Sequence, residues 1–368
     1  MMKKYFLITL IIFGSITSCN DNLDIVDTGP NYDRASLLEN WFNNHINPSY
    51  NNFSNELSAL SSEIVDAKNN GINESNLENI RNVFQSTYKS WQYVEMFNIG
   101  KAEEIYYGST MNIYPVNVAR VESNISSGNY DLNNANNYAA QGLPTIDYLL
   151  YGVGESETEI IEKLNDTKYI DYLVDLSNQM TVNTSAVIND WETYKNEFFN
   201  STDNTATSAI NMMVNDFIFY YEKGFRANKF GIPAGRFSST PIPENVESYF
   251  SGTSKMLSIE AISAVKDFFT GRHPFNGTTY TGSSLKSVIA ELDENLGQNN
   301  LSSRISDKLD VAIQKINELD ENYKNQIQNN NIKFLQTYDA IQEVVVLLKV
   351  DMLQLLSINV DYVDADGD

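Results

Sequence analysis

Apolar residues recur at helical spacing through most of the chain. Leu37, Leu38, Trp41 and Phe42 form a first stripe, which Asn47-Pro48 ends, and Phe53, Leu57, Leu60, Ile64 and Ala67 form a second, closed by Asn70-Gly71. A third stripe runs through Leu77, Ile80, Phe84, Tyr88, Trp91 and Val94 to Phe97 and stops before Gly100. The stretch 101–130 is less regular, with a shorter helix expected near Val116 to Ile125. Beyond it, one periodic segment passes through Ile170, Tyr172, Leu173 and Leu176, and another through Val187, Trp191, Tyr194 and Phe198. Later segments run from Ala209 to about Ala227, from Ser254 to Phe269, Leu285 to Leu296, Ile305 to Tyr323 and Ile332 to about Ile358. Nowhere does a two-residue alternation persist long enough to build a sheet. Long helices joined by short Asn, Gly and Pro turns predict an all-α fold of two helical-bundle domains packed side by side, over 32–202 and 203–368, with the break near Asn200 to Asn204.

One short helix stands out. In Gly142-Leu-Pro-Thr-Ile-Asp-Tyr-Leu-Leu-Tyr-Gly152, Pro144 suits a first helical position, Gly152 a stop, and Ile146, Leu149 and Leu150 a buried stripe. Asp147 falls in or just after the first turn, where the helix dipole favours a negative charge. A well-capped core helix accounts for all of this without a site. A cleft-facing Asp147 that binds a cationic centre is the alternative.

The N-terminus changes the picture of compartment. Lys3 and Lys4 precede an apolar run from Phe6 to Phe13, and Ile16-Thr17-Ser18-Cys19 closes it, the form of a lipoprotein signal peptide over 1–18. Cys19 is the single cysteine, so it is expected to carry the lipid, with residues 19–31 as the tether. Asn20, in place of an aspartate after the cysteine, favours the outer membrane, on either face. Loss of Lys3 and Lys4 takes the formal charge from −23 to −25, which argues against nucleic acid and against binding to anionic lipid by charge.

Candidate chemistry is sparse. The two histidines, His45 and His273, lack a partner at zinc-site spacing, and no phosphate loop or nucleophile elbow occurs. Ser251-Gly252-Thr253-Ser254 reads as a helix N-cap, with Thr253 or Ser254 accepting backbone N–H bonds. The run Asp361 to Asp368 is either a solvated acidic tail or an oxygen-rich cation loop, although it ends before an EF-hand would.

Several motifs in order resemble the imelysin-like family. Gly142 and the tail Tyr148-Leu149-Leu150-Tyr151-Gly152 match its signature, but Pro144 stands at the histidine of Gly-x-His-x-x-Glu and Asp147 at the glutamate. Trp91 and Glu95 match a pair one turn apart, Lys229 to Gly235 the Lys-x-Gly-x-Pro-x-Gly segment, and Val246 to Ser254 the Val-Glu-x-x-x-Ser-Gly-x-Ser segment. The resemblance implies a cleft between two bundles with Gly142, Pro144, Asp147, Glu95, Lys229 and Ser254 around a ligand. It also implies iron or haem uptake beside an outer-membrane partner. Carboxylates and tyrosines permit such ligands, though the 22 tyrosines also serve as packing. The alternative is the metal-dependent peptidase activity for which the family was named; proline offers no ligand atom for it.

Overall fold

The structure, a computed structural model, describes residues 29–297 and 300–360. The signal peptide, Cys19, the tether up to residue 28 and the run from Asp361 to Asp368 lie outside the described residues. Helices dominate, and among the described residues the only β-type pairing is an isolated bridge between Arg272 and Thr279. The all-α class follows from the periodicity.

In the first half, α1 (Arg34–Asn40) passes through a π-helical stretch, Trp41–Ile46, into α2 (Asn47–Asn70). The chain therefore does not stop at Asn47-Pro48, as the proline suggests. The Asn47 N–H reaches back five residues to the Phe42 carbonyl, and this wider turn carries the helix past a residue that has no N–H of its own. Next, α3 (Glu74–Trp91) starts from a capping box in which Asn73 and Asn76 bond reciprocally. Three short helices follow: α4 (Lys101–Glu104), α5 (Tyr107–Met111) and α6 (Val118–Ser127). They lead to α7 (Gly142–Tyr151), α8 (Glu157–Leu164) and the long α9 (Thr167–Asn200). The sequence splits α9 in two because Thr184, buried at mid-helix, hides the apolar period; its hydroxyl lies 2.7 Å from the Tyr107 hydroxyl.

In the second half, α10 (Ala209–Phe219) continues into a twelve-residue π-helical segment, Tyr220–Gly231, and then one turn, α11 (Ile232–Ala234). Residues 228–235, which read as irregular from the sequence, are thus largely helical. Then come α12 (Ser254–Thr270), α13 (Leu285–Leu296), α14 (Leu301–Asn317), α15 (Tyr323–Val346) and, after a third π-helical stretch at Leu347–Met352, α16 (Leu353–Leu356). Asn330 in α15 departs from helical geometry (φ −157°), which explains why the apolar pattern restarts at Ile332.

Buried apolar residues form one continuous cluster from Tyr32 to Ile358. Aromatic rings carry it across the halves: Phe268 of α12 stacks on Trp41 at 5.2 Å and touches Phe97 at 5.8 Å. The helix α7 sits inside this packing, against α3, α5, α6, α8 and α9. All residues from Gly142 to Leu150 are buried, so it has no solvent face, and a single stripe understates its burial.

Candidate functional site

Four segments meet beside α7. The last turn of α3 and the turn after it supply Tyr88, Gln92 and Glu95; the end of α5 supplies Asn112; the π-helix supplies Tyr220 and Lys229; and the loop before α12 supplies Glu247. Gly224 lets the π-helix hold Tyr220 close, since a Cβ there would lie 2.7 Å from the Tyr220 ring.

Lys229, 1% exposed at its side chain, is the hub. Its ammonium donates to Glu247 Oε2 at 2.6 Å and to Gln92 Oε1 at 2.8 Å, and stands 3.6 Å from Glu95 Oε2. The Gln92 amide donates in turn to Glu247 Oε1 at 3.1 Å. Asn112 Nδ2 donates to both acids, at 3.0 Å to Glu95 Oε1 and 2.8 Å to Glu247 Oε1, and its own oxygen accepts from the Tyr88 hydroxyl at 2.7 Å. Two carboxylates thus share one ammonium. Burial raises the Glu95 carboxyl above its ordinary range and the Glu247 charge adds to this, while Lys229 pulls the other way. Burial and the same two acids hold the Tyr88, Tyr114 and Tyr220 phenols well above their usual value.

Glu95 and Tyr220 also line an open cleft of about 460 Å³, together with Asn112, Asp216 and Lys223. Glu95 Oε2 and the Tyr220 hydroxyl are both buried without a hydrogen-bond partner in bonding geometry. Carboxylate and phenol oxygens are hard donors of the kind ferric iron takes. They are only two, and among the described residues no group of three or more His, Cys, Asp or Glu side chains is placed to hold a metal. Two such donors are too few to hold a bare metal ion.

Asp147 does something the sequence did not suggest. Its carboxylate accepts the Phe250 N–H at 2.9 Å and the Ser251 N–H at 3.2 Å, so it ties α7 to the loop before α12 rather than answering its own helix dipole. Burial nevertheless pushes its pKa up to about 6, against the pull of those N–H groups. Phe250 completes the clasp, its ring 5.1 Å from Tyr148 and pressed on Gly152, where a Cβ would meet it at 2.1 Å. Arg81 of α3 caps the far end of α7 by donating to the Leu150 carbonyl at 2.6 Å and 2.9 Å.

The sequence-named positions fall into three places. Glu95 and Lys229 meet directly. Pro144 is the third residue of α7 and not the first, because the helix opens two residues earlier at Gly142; with Asp147 it lines a separate cavity of about 130 Å³. Gly142 (φ +74°) lies against the Met111 carbonyl. Ser254 is no N-cap acceptor: it is the first residue of α12, its hydroxyl donates to the Glu247 carbonyl at 2.6 Å, and Thr253 caps without a side-chain bond. It thereby fixes the acid that sequence reasoning missed as a site residue. Glu247 lies in the Val246 to Ser254 motif and was legible there; Gln92, Asn112 and Tyr220 had no comparable signal.

The imelysin model, labelled Peptidase M75, matches residues 46–350. Among solved structures, the chain is similar to a candidate iron-regulated protein A precursor from Parabacteroides distasonis ATCC 8503, with a TM-score of 0.73 and 16% identity over 89% of this chain and 96% of that one. It is similar too to an imelysin-like protein from Psychrobacter arcticum 273-4, with a TM-score of 0.68 and 15% identity over 91% and 99%. No curated protein matches it.

Proposed function

The chain belongs to the imelysin family, and from that premise we propose that it is a non-catalytic binding protein of the cell envelope. It holds a chelated iron, haem included, in the cleft over Glu95 and Tyr220 and passes it to an outer-membrane uptake partner. The observation that carries this reading is the unbalanced charge at the cleft floor: two buried carboxylates share the Lys229 ammonium, and Glu95, a cleft-lining residue and the acid farther from it, meets it only at 3.6 Å through an oxygen that accepts no hydrogen bond. A cationic centre placed there offsets charge that the fold leaves unanswered. The similarity to a candidate iron-regulated protein points the same way. Lipid on Cys19 would hold the protein at the outer membrane; among the described residues no helix is long and apolar enough to span one, and a Cys19→Ser protein that stays in the membrane fraction would remove this part of the reading.

The peptidase label of the family supplies the second reading. Two features weigh against it: proline at residue 144, and an Asp147 carboxylate already engaged by two backbone N–H groups.

Calorimetric titration with ferric citrate, haemin and zinc tests the proposal. Heat is expected for a ferric ligand, with binding at least tenfold weaker in the Glu95→Gln, Tyr220→Phe double variant and the melting temperature little changed. No heat for any of the three, or metal-dependent casein cleavage that Asp147→Ala abolishes, overturns it.

A further inference from the structure

Along the same π-helix lies another cavity, of about 680 Å³, that shares Lys223 with the cleft but that the iron reading does not use. In a chain with 48 acidic against 25 basic residues its lining is reversed: Lys223, Arg226 and Arg236 face a single carboxylate, Glu222. That carboxylate is already answered by Lys349 at 3.2 Å and by Arg226 at 3.6 Å. Arg226 is 2% exposed and held in place, its Nη1 donating to the Tyr338 hydroxyl at 2.8 Å and its Nε to the Glu222 carbonyl at 3.3 Å. Beside it, Phe237 is 46% exposed. The Arg226 and Arg236 guanidiniums lie 5.5 Å and 5.4 Å from the Tyr338 ring centre, and the Phe237 ring meets that ring edge-on at 6.1 Å.

The loop that presents Arg236 and Phe237 is tied back to the helix. The Arg236 N–H donates to the Gly231 carbonyl at 2.8 Å and the Ile242 N–H to the Pro233 carbonyl at 2.9 Å. Phe237 rests on Gly231, where a Cβ would come within 2.5 Å of its ring. An exposed aromatic on a fixed loop, next to the exposed Arg236 and over a cavity large enough for a small ligand, suits a flat anion: the Arg236 fork matches a carboxylate, Lys223 adds a second cation at the rim, and the rings match a planar body, while Arg226, engaged by Tyr338, Gln342 and Glu222, contributes positive charge from beneath.

We propose that this cavity is a binding site for a small organic anion that carries two or more carboxylates on a planar ring. Apart from Lys223, which lines both, the site shares no residue with the cleft over Glu95. Titration of the full chain with trimesate, a ring bearing three carboxylates, and with tricarballylate, an acyclic molecule of the same charge, tests it. Trimesate should bind more tightly than tricarballylate and weaken as salt rises. Arg236→Gln should weaken trimesate at least tenfold, Phe237→Ala should bring it down to the tricarballylate level, and Glu95→Gln should leave it unchanged. Both substituted side chains are exposed, so the melting temperatures should stay at the wild-type value. Absence of trimesate binding, binding indifferent to Arg236→Gln, or binding lost in Glu95→Gln would overturn the proposal.

Discussion

Asp147 couples protonation to stability. Its folded pKa, about 6, lies above the value of about 4 expected in the unfolded chain. Because the folded pKa is raised, the unfolded state gives up its proton first as pH rises. Stability should therefore fall between pH 4 and pH 6 and stay flat above, by roughly 3 kcal/mol for a shift of about two units. Asp147→Asn cannot titrate and retains one oxygen for the Phe250 and Ser251 N–H groups. The stability of wild type minus that of the variant, from urea unfolding across this range, should trace the fall; a difference independent of pH would show that the carboxyl is not perturbed. Residue identity at this position was legible, but the role was not. Nothing local to α7 says that its acceptors serve N–H groups a hundred residues away, and the same holds for Ser254, whose hydroxyl turned out to donate.

Among the elements, the packing of α7 is what fixes the site, and Gly142 is where it meets a neighbouring backbone most closely. With φ +74°, a Cβ there would sit 2.3 Å from the Met111 carbonyl oxygen, a backbone atom that cannot rotate away. Gly128 has a similar φ of +63° but open space around it. Gly128→Ala should cost about 1 kcal/mol of left-handed strain, whereas Gly142→Ala should cost at least about 2 kcal/mol more as α5 and α7 are forced apart. Equal losses in chemical unfolding would mean that the contact with Met111 is slack. The amphipathic helices were readable because each buries one stripe. The π-helical segments were not: Pro48 and the Gly- and Pro-rich run from Asn228 to Gly235 look like breaks, and the wider turns that absorb them depend on packing from both sides. One of those turns carries Lys229, so the element that shapes the site is the one the sequence disguised.

Across the whole molecule, the described helices bury one continuous apolar cluster while the polar network at its centre joins residues from both halves. Gln92 and Glu95 come from the first half, Lys229 and Glu247 from the second. Lys229 is the one cation that the two acids share in this network, and a double-mutant cycle between Lys229→Met and Glu247→Gln measures its role most directly. Lys229→Met alone leaves both carboxylates buried without a counter-charge and should cost about 3–5 kcal/mol of stability. Adding Glu247→Gln should return part of that loss, giving a coupling of at least about 1.5 kcal/mol in unfolding experiments at neutral pH. Losses that simply add, or a Lys229→Met protein as stable as the wild type, would contradict the account.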